Sequence, residues 1–265
     1  MSQPARDFYE NAYQGKDYIS PEAAEQHTAY SRLSAFIQAY QLQDKLCLEV
    51  GSGRGGFQDI VPNYVGIDIA ASAGKYFHKP FVAASATNIP FRNDAFDAIW
   101  TIYVFEHVPN PEKGLEELWR VLKPGGYLYF EPAWHCRPWA AQGYPVRPYS
   151  DFNWKGKLIK ASIPIRNNIL YRSIKTFPAR LIHFLGYQIS RQPTSFPYGK
   201  LEPNYEVFWM SDSDALNSMD PFDAYLWFVS RGGECINYPT MQKAFFMRHG
   251  PLIIRKPPAT GNLHD

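Results

Sequence analysis

Short apolar runs alternate along this chain with glycine-rich turns and one clear helical stripe. Leu46, Leu48 and Val50 form an apolar run that ends in glycines at 51, 53, 55 and 56. That is the pattern of a buried strand entering a tight turn. Val65-Gly66-Ile67-Asp68-Ile69 reads as a second short strand ending in an acid, Phe81-Val82-Ala83-Ala84 as a third, and Phe96-Asp97-Ala98-Ile99-Trp100 as a fourth. A helix fits 111–122, with Asn110 as cap, Pro111 in the first position, and Leu115, Leu118, Trp119 and Leu122 on one face. Lys123-Pro124-Gly125-Gly126 stops it, and Tyr127-Leu128-Tyr129-Phe130 is a fifth strand. Strands alternating with helices in this way predict a doubly wound, parallel α/β sheet.

Farther along, Asp220-Pro221-Phe222-Asp223 reads as a helix start, with Asp220 capping and Asp223 at the capping-box position. Tyr225 to Val229 would pack on the sheet and Gly232-Gly233 end that helix. Glu234–Tyr238 and Leu252–Arg255 are expected to form a closing antiparallel strand pair. Between strand 5 and this helix lies a large insertion. At the other end, an aromatic segment (Phe8-Tyr9-Glu10-Asn11-Ala12-Tyr13, and Tyr18) precedes an amphipathic helix expected from about Pro21 to Tyr40. The expected division is 1–44 for the N-terminal helical segment, 45–132 for the sheet core, 133–219 for the insertion, 220–257 for the closing elements and 258–265 for a tail.

Composition adds little until its distribution is considered. The chain of 265 residues has 45% hydrophobic content and a net charge of +2. It contains no 18-residue apolar run, and its first residues are polar, which predicts a cytoplasmic protein. Three cysteines, Cys47, Cys136 and Cys235, lack metal-type spacing and are expected as reduced thiols. No metal is expected. Residues 131–200, by contrast, carry eleven Lys or Arg against Glu131 and Asp151, while 201–230 carry six acids and no base. Apolar residues recur between those bases, among them Leu158-Ile159, Ile163, Ile165, Ile169-Leu170, Ile174, Leu181-Ile182 and Leu185. Two readings are open: a basic amphipathic surface for an anionic substrate or at most a peripheral membrane contact, or bases solvating helices whose apolar side covers the core. Nucleic acid is not expected as a partner, because the overall balance is near neutral and acids follow the bases.

The glycine run fits two templates. Gly51, Gly53 and Gly56 match the G-x-G-x-x-G of nicotinamide or flavin enzymes, and Glu49, Gly51, Gly53 and Gly55 match E-x-G-x-G-x-G. Asp68 follows Gly51 by 17 residues, near the offset at which an acid bonds ribose hydroxyls. Four further blocks decide between them: Asn-Ile-Pro-Phe at 88–91, Phe-Asp-Ala-Ile at 96–99, Phe-Glu-His-Val at 105–108, and Trp-Arg-Val-Leu-Lys-Pro-Gly-Gly at 119–126. With them, the span from Glu49 to Pro132 resembles a class I methyltransferase dependent on S-adenosyl-L-methionine, of the small-molecule group that includes the ubiquinone and menaquinone methylases.

The resemblance implies a Rossmann-like methyltransferase sheet with the insertion crossing its carboxyl edge, over the methyl donor. It implies S-adenosyl-L-methionine as cofactor, held by Glu49, Gly51, Ser52, Gly53, Gly55, Asp68, Ile69, Ser85, Ala86, Thr87, Thr101 and Ile102. Within that set Glu49 is implied at the amino-acid end and Asp68 at the ribose. One position departs from the family: Ser85 stands where an Asp usually accepts from the adenine amino group. A neutral hydroxyl bonds more weakly than a carboxylate, so an altered adenine contact is expected. The N-terminal segment resembles a lid, with Tyr9, Tyr13 and Tyr18 toward cofactor or substrate, or else simply packs.

Methyl transfer from a sulfonium is an in-line displacement that needs alignment of the nucleophile and, for a hydroxyl, removal of its proton. His107 after strand 4 and His135 after strand 5 both lie at the carboxyl edge, where a base belongs. His107 also has a plain structural reading, as a histidine bonding the backbone at the start of the next helix, and His135 is a candidate base or substrate ligand. Asp212 and Asp214 in Trp209-Met210-Ser211-Asp212-Ser213-Asp214 could bind sugar hydroxyls or accept a proton, or could cap a helix. Trp134 and Trp209 join the tyrosines as candidate substrate contacts. The expectation is an O-methyltransferase acting on a small-molecule hydroxyl, first a saccharide or lipid-linked glycan intermediate, with an anionic acceptor in view. A quinone, polyketide or amine acceptor, or a non-catalytic subunit that binds the cofactor, are the alternatives.

Overall fold

The computed structural model describes residues 3–13 and 25–259. Its centre is a seven-stranded sheet. Strands β1 (Cys47–Val50), β2 (Tyr64–Asp68), β3 (Phe81–Ala83), β4 (Phe96–Ile102) and β5 (Leu122–Glu131) are parallel. Two more, β8 (Glu234–Cys235) and β9 (Leu252–Arg255), run antiparallel beyond β5, giving the order β3-β2-β1-β4-β5-β9-β8. The doubly wound sheet and the closing antiparallel pair expected from periodicity are both present. A separate antiparallel pair, β6 (Tyr198–Lys200) with β7 (Asn217–Met219), lies in the insertion.

Each face of the sheet has its own core. Leu48, Val50, Ile99, Leu128 and Phe130 face helices α3 (Pro111–Val121) and α6 (Pro221–Val229). Cys47, Ala98, Trp100 and Tyr129 face helix α2 (Thr28–Ala39). Alternate residues of single strands thus serve opposite layers, as pleating requires. Asn110 accepts from the Lys113 N–H and Asp220 from the Phe222 N–H, so both expected caps form. Within the core, Arg120 donates to the carbonyls of Ile89 (2.8 Å) and Phe91 (2.7 Å) and to Glu117, whose carboxylate accepts from the Ile89 N–H. The arginine of the Trp-Arg-Val-Leu block therefore holds the Asn-Ile-Pro-Phe loop in place, a physical reason for the two blocks to occur together.

Several boundaries differ from expectation. Helix α2 starts at Thr28, where His27 Nδ1 accepts from the Ala29 N–H; of the expected start near Pro21, residues 21–24 lie outside the described residues, as does Tyr18. Lys123–Gly126 ends α3 but is already part of β5, because Leu122 pairs with Phe96 across an irregular register. The strand expected over Glu234–Tyr238 is two residues long, and a short helix, α7 (Met241–Phe245), follows it. Asp223 makes no capping box; its carboxylate faces His183 Nδ1 at 2.7 Å.

The insertion is built on two helices, α4 (Trp154–Asn167) and α5 (Ile169–Ser190). Arg180 anchors α5. It is 1% exposed, binds both oxygens of Asp220 (2.9 and 3.1 Å), and donates to the carbonyls of Phe245 and Met247. Removing one side of a buried pair leaves its partners unsatisfied. Arg180→Ala is therefore expected to lower unfolding free energy by about 3 kcal/mol in denaturant titrations. Arg180→Lys should recover little of it, since one ammonium cannot reproduce the fork.

Candidate active site

The turn after β1 is shaped by glycines at 51, 53 and 55, all with positive φ (77°, 51° and 74°). A Cβ on Gly51 would lie 2.2 Å from a Val104 methyl, so that residue must be glycine for packing as well as conformation. A Cβ on Gly53 would meet nothing nearer than the Tyr13 ring at 3.9 Å. Space is left above Gly53 that a ligand can use. Asp68, at the end of β2, is buried and accepts from the Gly53 N–H (2.9 Å), the Ala70 N–H (3.0 Å) and the Tyr13 hydroxyl (3.3 Å). Burial raises its pKa against those donors. Glu49 accepts from the Tyr64 hydroxyl, and burial pushes its carboxyl up to about 8. The buried Ser52 hydroxyl in the same turn has no partner among the described residues.

After β3, the Ser85 hydroxyl lies 2.9 Å from that of Thr87 and accepts the Thr87 N–H, forming a local turn with buried Ala86 at its centre. Thr101 is buried near the end of β4 with an unpartnered hydroxyl, while Ile102 and Ile69 pack against neighbouring core. The donor set therefore fits a nucleoside-bearing ligand on the turn: an acid at the ribose offset, a glycine with open space above it, and an orphaned serine hydroxyl.

Helix α1 (Gln3–Ala12) lies over this turn. Tyr9 and Tyr13 are buried with Ala70 and Ala73, and Glu10 accepts from the N–H groups of Ala71 (2.7 Å) and Ser72 (2.9 Å). The same helix reaches the insertion. Tyr9 donates to Asp214 Oδ2 at 2.6 Å, and that oxygen lies 3.3 Å from His107 Nδ1. His107 Nε2 is 3.6 Å from Glu106 Oε1. Glu106 is 1% exposed, its Oε2 has no hydrogen-bond partner, and burial pushes its carboxyl up to about 7. Asp212 is raised too, by burial and despite nearby His107. Of the residues expected from sequence, Tyr9, Tyr13, Asp68, His107, Asp212 and Asp214 thus converge on one region.

The cap reading of Asp212 and Asp214 is set aside. Residues 211–214 are turns, with Asp212 at φ 64°, and they lead into β7 rather than a helix.

His135 is placed elsewhere. Its N–H donates to the Met219 carbonyl, whereas the Glu106 carbonyl receives the Leu216 N–H, so the two histidines sit at opposite ends of β7. His135 lines a cavity with Arg172, Ser173, Thr176, Phe177, Arg180 and Arg248. Burial lowers its pKa to about 4, against the pull of Asp220. Such a histidine is neutral and sits among cations. Trp134 is a packing residue, its Nε1 donating to the Gly250 carbonyl and its ring edge-on to Phe130. Trp209 covers Gly143 and takes the Arg147 guanidinium on its face at 4.6 Å.

Sequence reasoning missed Glu106, Tyr205 and Glu10. Glu106 carried a signal, an acid inside the otherwise apolar Val104-Phe105-…-Val108 stretch. Tyr205 packs tilted against Phe8, with ring centroids 5.3 Å apart, and burial beside Asp214 pushes its hydroxyl up to about 12. Nothing local marked it. Among the described residues no three His, Cys, Asp or Glu side chains converge as a metal site.

Residues 48–130 match the methyltransferase domain family. Sterol 4-C-methyltransferase strm-1 of Caenorhabditis elegans is 33% identical over 95 residues, covering 30% of this chain and 28% of that protein. Phthiotriol/phenolphthiotriol dimycocerosates methyltransferase 1 of Mycobacterium ulcerans is 27% identical over 161 residues, covering 54% and 58%. The N-methyltransferase NodS of Bradyrhizobium japonicum, solved with S-adenosyl-L-homocysteine, superposes at TM-score 0.41 with 20% identity, over 50% of this chain and 75% of that one. The chain therefore spans less than two thirds of the length of the curated relatives it matches.

The turn geometry generates a binding prediction. Gly53→Val should abolish calorimetric binding of S-adenosyl-L-methionine while the circular dichroism stays that of the folded sheet, and Asp68→Ala should weaken binding at least about tenfold by losing charge-assisted hydrogen bonds. Ser85→Asp should hold or raise affinity. Unchanged affinity in the first two variants would overturn the cofactor position.

Proposed function

We propose, for a chain whose residues 48–130 are a methyltransferase domain, that it transfers the methyl group of S-adenosyl-L-methionine to a hydroxyl of a small molecule. When bound, that cofactor supplies an electrophilic methyl group. The chain's own residues do the rest. The observation that carries the hydroxyl reading is the Tyr9–Asp214–His107 arrangement beside the cofactor turn. With its Nδ1 proton toward the Asp214 carboxylate, His107 presents Nε2 as the proton acceptor, and the carboxylate favours the imidazolium that forms. Helix α1 excludes water above the turn and supplies Tyr9, the third member of that arrangement.

We take the acceptor to be a saccharide or lipid-linked glycan. Tyr205 offers an aromatic ring beside Asp214, and Asp212 a carboxylate for sugar hydroxyls. Arg172 and Arg248 beside His135 offer charge for an anionic group: burial and mutual repulsion lower the pKa of Arg172, and the nearby Asp220 is already bound by Arg180. Two of the matched relatives are named for a sterol and for dimycocerosates, and others for menaquinone and ubiquinone.

Incubating the protein and cofactor with cell-extract metabolites should yield a product heavier by one methylene together with S-adenosyl-L-homocysteine. His107→Asn should cost at least about 100-fold in turnover and leave cofactor affinity intact. The rate should rise with pH along a limb centred near 7, where burial places the Glu106 carboxyl that faces His107 Nε2. Glu106→Gln should remove that limb. Normal turnover in His107→Asn would overturn base catalysis, and a product methylated on nitrogen would overturn the hydroxyl reading.

A further inference from the structure

Helices α4 and α5 are oriented opposite to the helices that flank the sheet. On α4, Trp154, Leu158 and Ile165 are each more than 60% exposed and recur at helical spacing. On α5, Leu170, Ile174, Ile182 and Ile189 are 67–84% exposed, with Leu181 and Leu185 half exposed between them. Those positions trace one stripe along 22 residues, about 33 Å of helix. The opposite face of α5 turns inward and is rich in polar groups: Arg180 binds Asp220, His183 meets Asp223, and the Ser173 hydroxyl accepts from Arg248 at 3.0 Å. The apolar side of α5 therefore cannot be turned in without pulling buried Arg180 away from Asp220 and His183 away from Asp223. Large aliphatic side chains exposed in a row along one helix face mark an interaction surface rather than scattered surface residues.

The charges around it have one sign. Residues 152–201 contain nine Lys or Arg and no Asp or Glu. Lys155, Lys157, Lys175 and Arg191 are exposed on the two helices that carry the stripes. A two-fold contact between copies would bring such bases against each other across an apolar seam, with no acid on the hairpin to offset them. No helix among the described residues is long and apolar enough to cross a membrane. Apolar side chains flanked by bases on a helix that does not span is the composition of an element lying in a bilayer interface.

We propose that the α4–α5 hairpin docks the protein on a lipid bilayer bearing anionic headgroups, with Trp154, Ile174, Ile182 and Ile189 entering the headgroup–acyl boundary and Lys155, Lys157, Lys175 and Arg191 contacting the headgroups. The docking surface is distinct from the His107 region and does not depend on which atom is methylated. Binding is the sum of apolar insertion and charge attraction, so each contribution is separately removable.

The test uses the full chain with vesicles of phosphatidylcholine alone or mixed with phosphatidylglycerol. The protein should co-sediment with the mixed vesicles, at least tenfold more tightly than with phosphatidylcholine. Raising NaCl to half-molar, or the Lys155→Gln/Lys157→Gln/Lys175→Gln/Arg191→Gln variant, should remove most of that preference. Ile174→Asp/Ile182→Asp/Ile189→Asp should abolish sedimentation with an unchanged circular dichroism spectrum and thermal midpoint, because all three side chains are exposed. Brominated acyl chains should quench part of the tryptophan fluorescence, and Trp154→Phe should remove that part. Absence of binding to mixed vesicles, equal binding to neutral ones, or a lipid-free dimer that the triple Asp variant dissolves would each overturn the proposal.

Discussion

A buried carboxylate, Asp214, joins three parts of the chain that lie far apart in sequence. The Tyr9 hydroxyl donates to it from α1, His107 approaches it from the loop after β4, and Asp214 itself comes from the turn before β7. A carboxylate 4% exposed is costly unless each lone pair finds a donor. The position of any one of these segments is therefore conditional on the other two. Helix α1 covers the cofactor turn because two adjacent residues anchor it in different directions, Tyr9 to that acceptor and Glu10 to the Ala71 and Ser72 N–H groups. Helix α1, His107 and the Asp214 turn are mechanically one unit.

That coupling gives the insertion a second constraint. Its polar face must point inward, toward Asp220 and Asp223 at the start of α6, because those acids already lie at the sheet's carboxyl edge. Asp220 serves two ends at once, capping α6 and receiving Arg180. Once the polar side of α5 is committed, its leucines and isoleucines are left outside. The same arrangement separates the two histidines. His107 is drawn to carboxylates, while His135 is enclosed by arginines and kept neutral. An acidic region and a basic cavity thus flank one short strand, with Leu216 and Met219 about 10 Å apart along it.

Much of this was legible in the chain. The five parallel strands, α3, α6 and the antiparallel closing pair follow from apolar periodicity with caps at Asn110 and Asp220, because each is decided by residues a few positions apart. The glycine turn and Asp68 were legible for the same reason. So was the value of the ordered blocks at 88–91 and 119–126, although only the structure shows Arg120 bridging them. Less was legible where an element is settled by a partner far away. Pairing of Leu122 with Phe96 draws Lys123–Gly126 into β5, against the local signal to stop. The hairpin of β6 and β7 has no periodicity to announce it.

The sequence by itself determined the type of sheet, the glycine turn, the acid Asp68 after it and the accumulation of bases in the insertion, since these depend on near neighbours and on composition. Only the tertiary structure decided that His107 and not His135 stands with Asp214, that Glu106 is buried against it, and which face of α5 meets water. The physical reason is distance along the chain. His107 and Asp214 are 107 residues apart, Tyr9 and Asp214 205. A helix with bases and apolar side chains interleaved has two faces that a one-dimensional pattern ranks alike, until a buried acid elsewhere claims one of them.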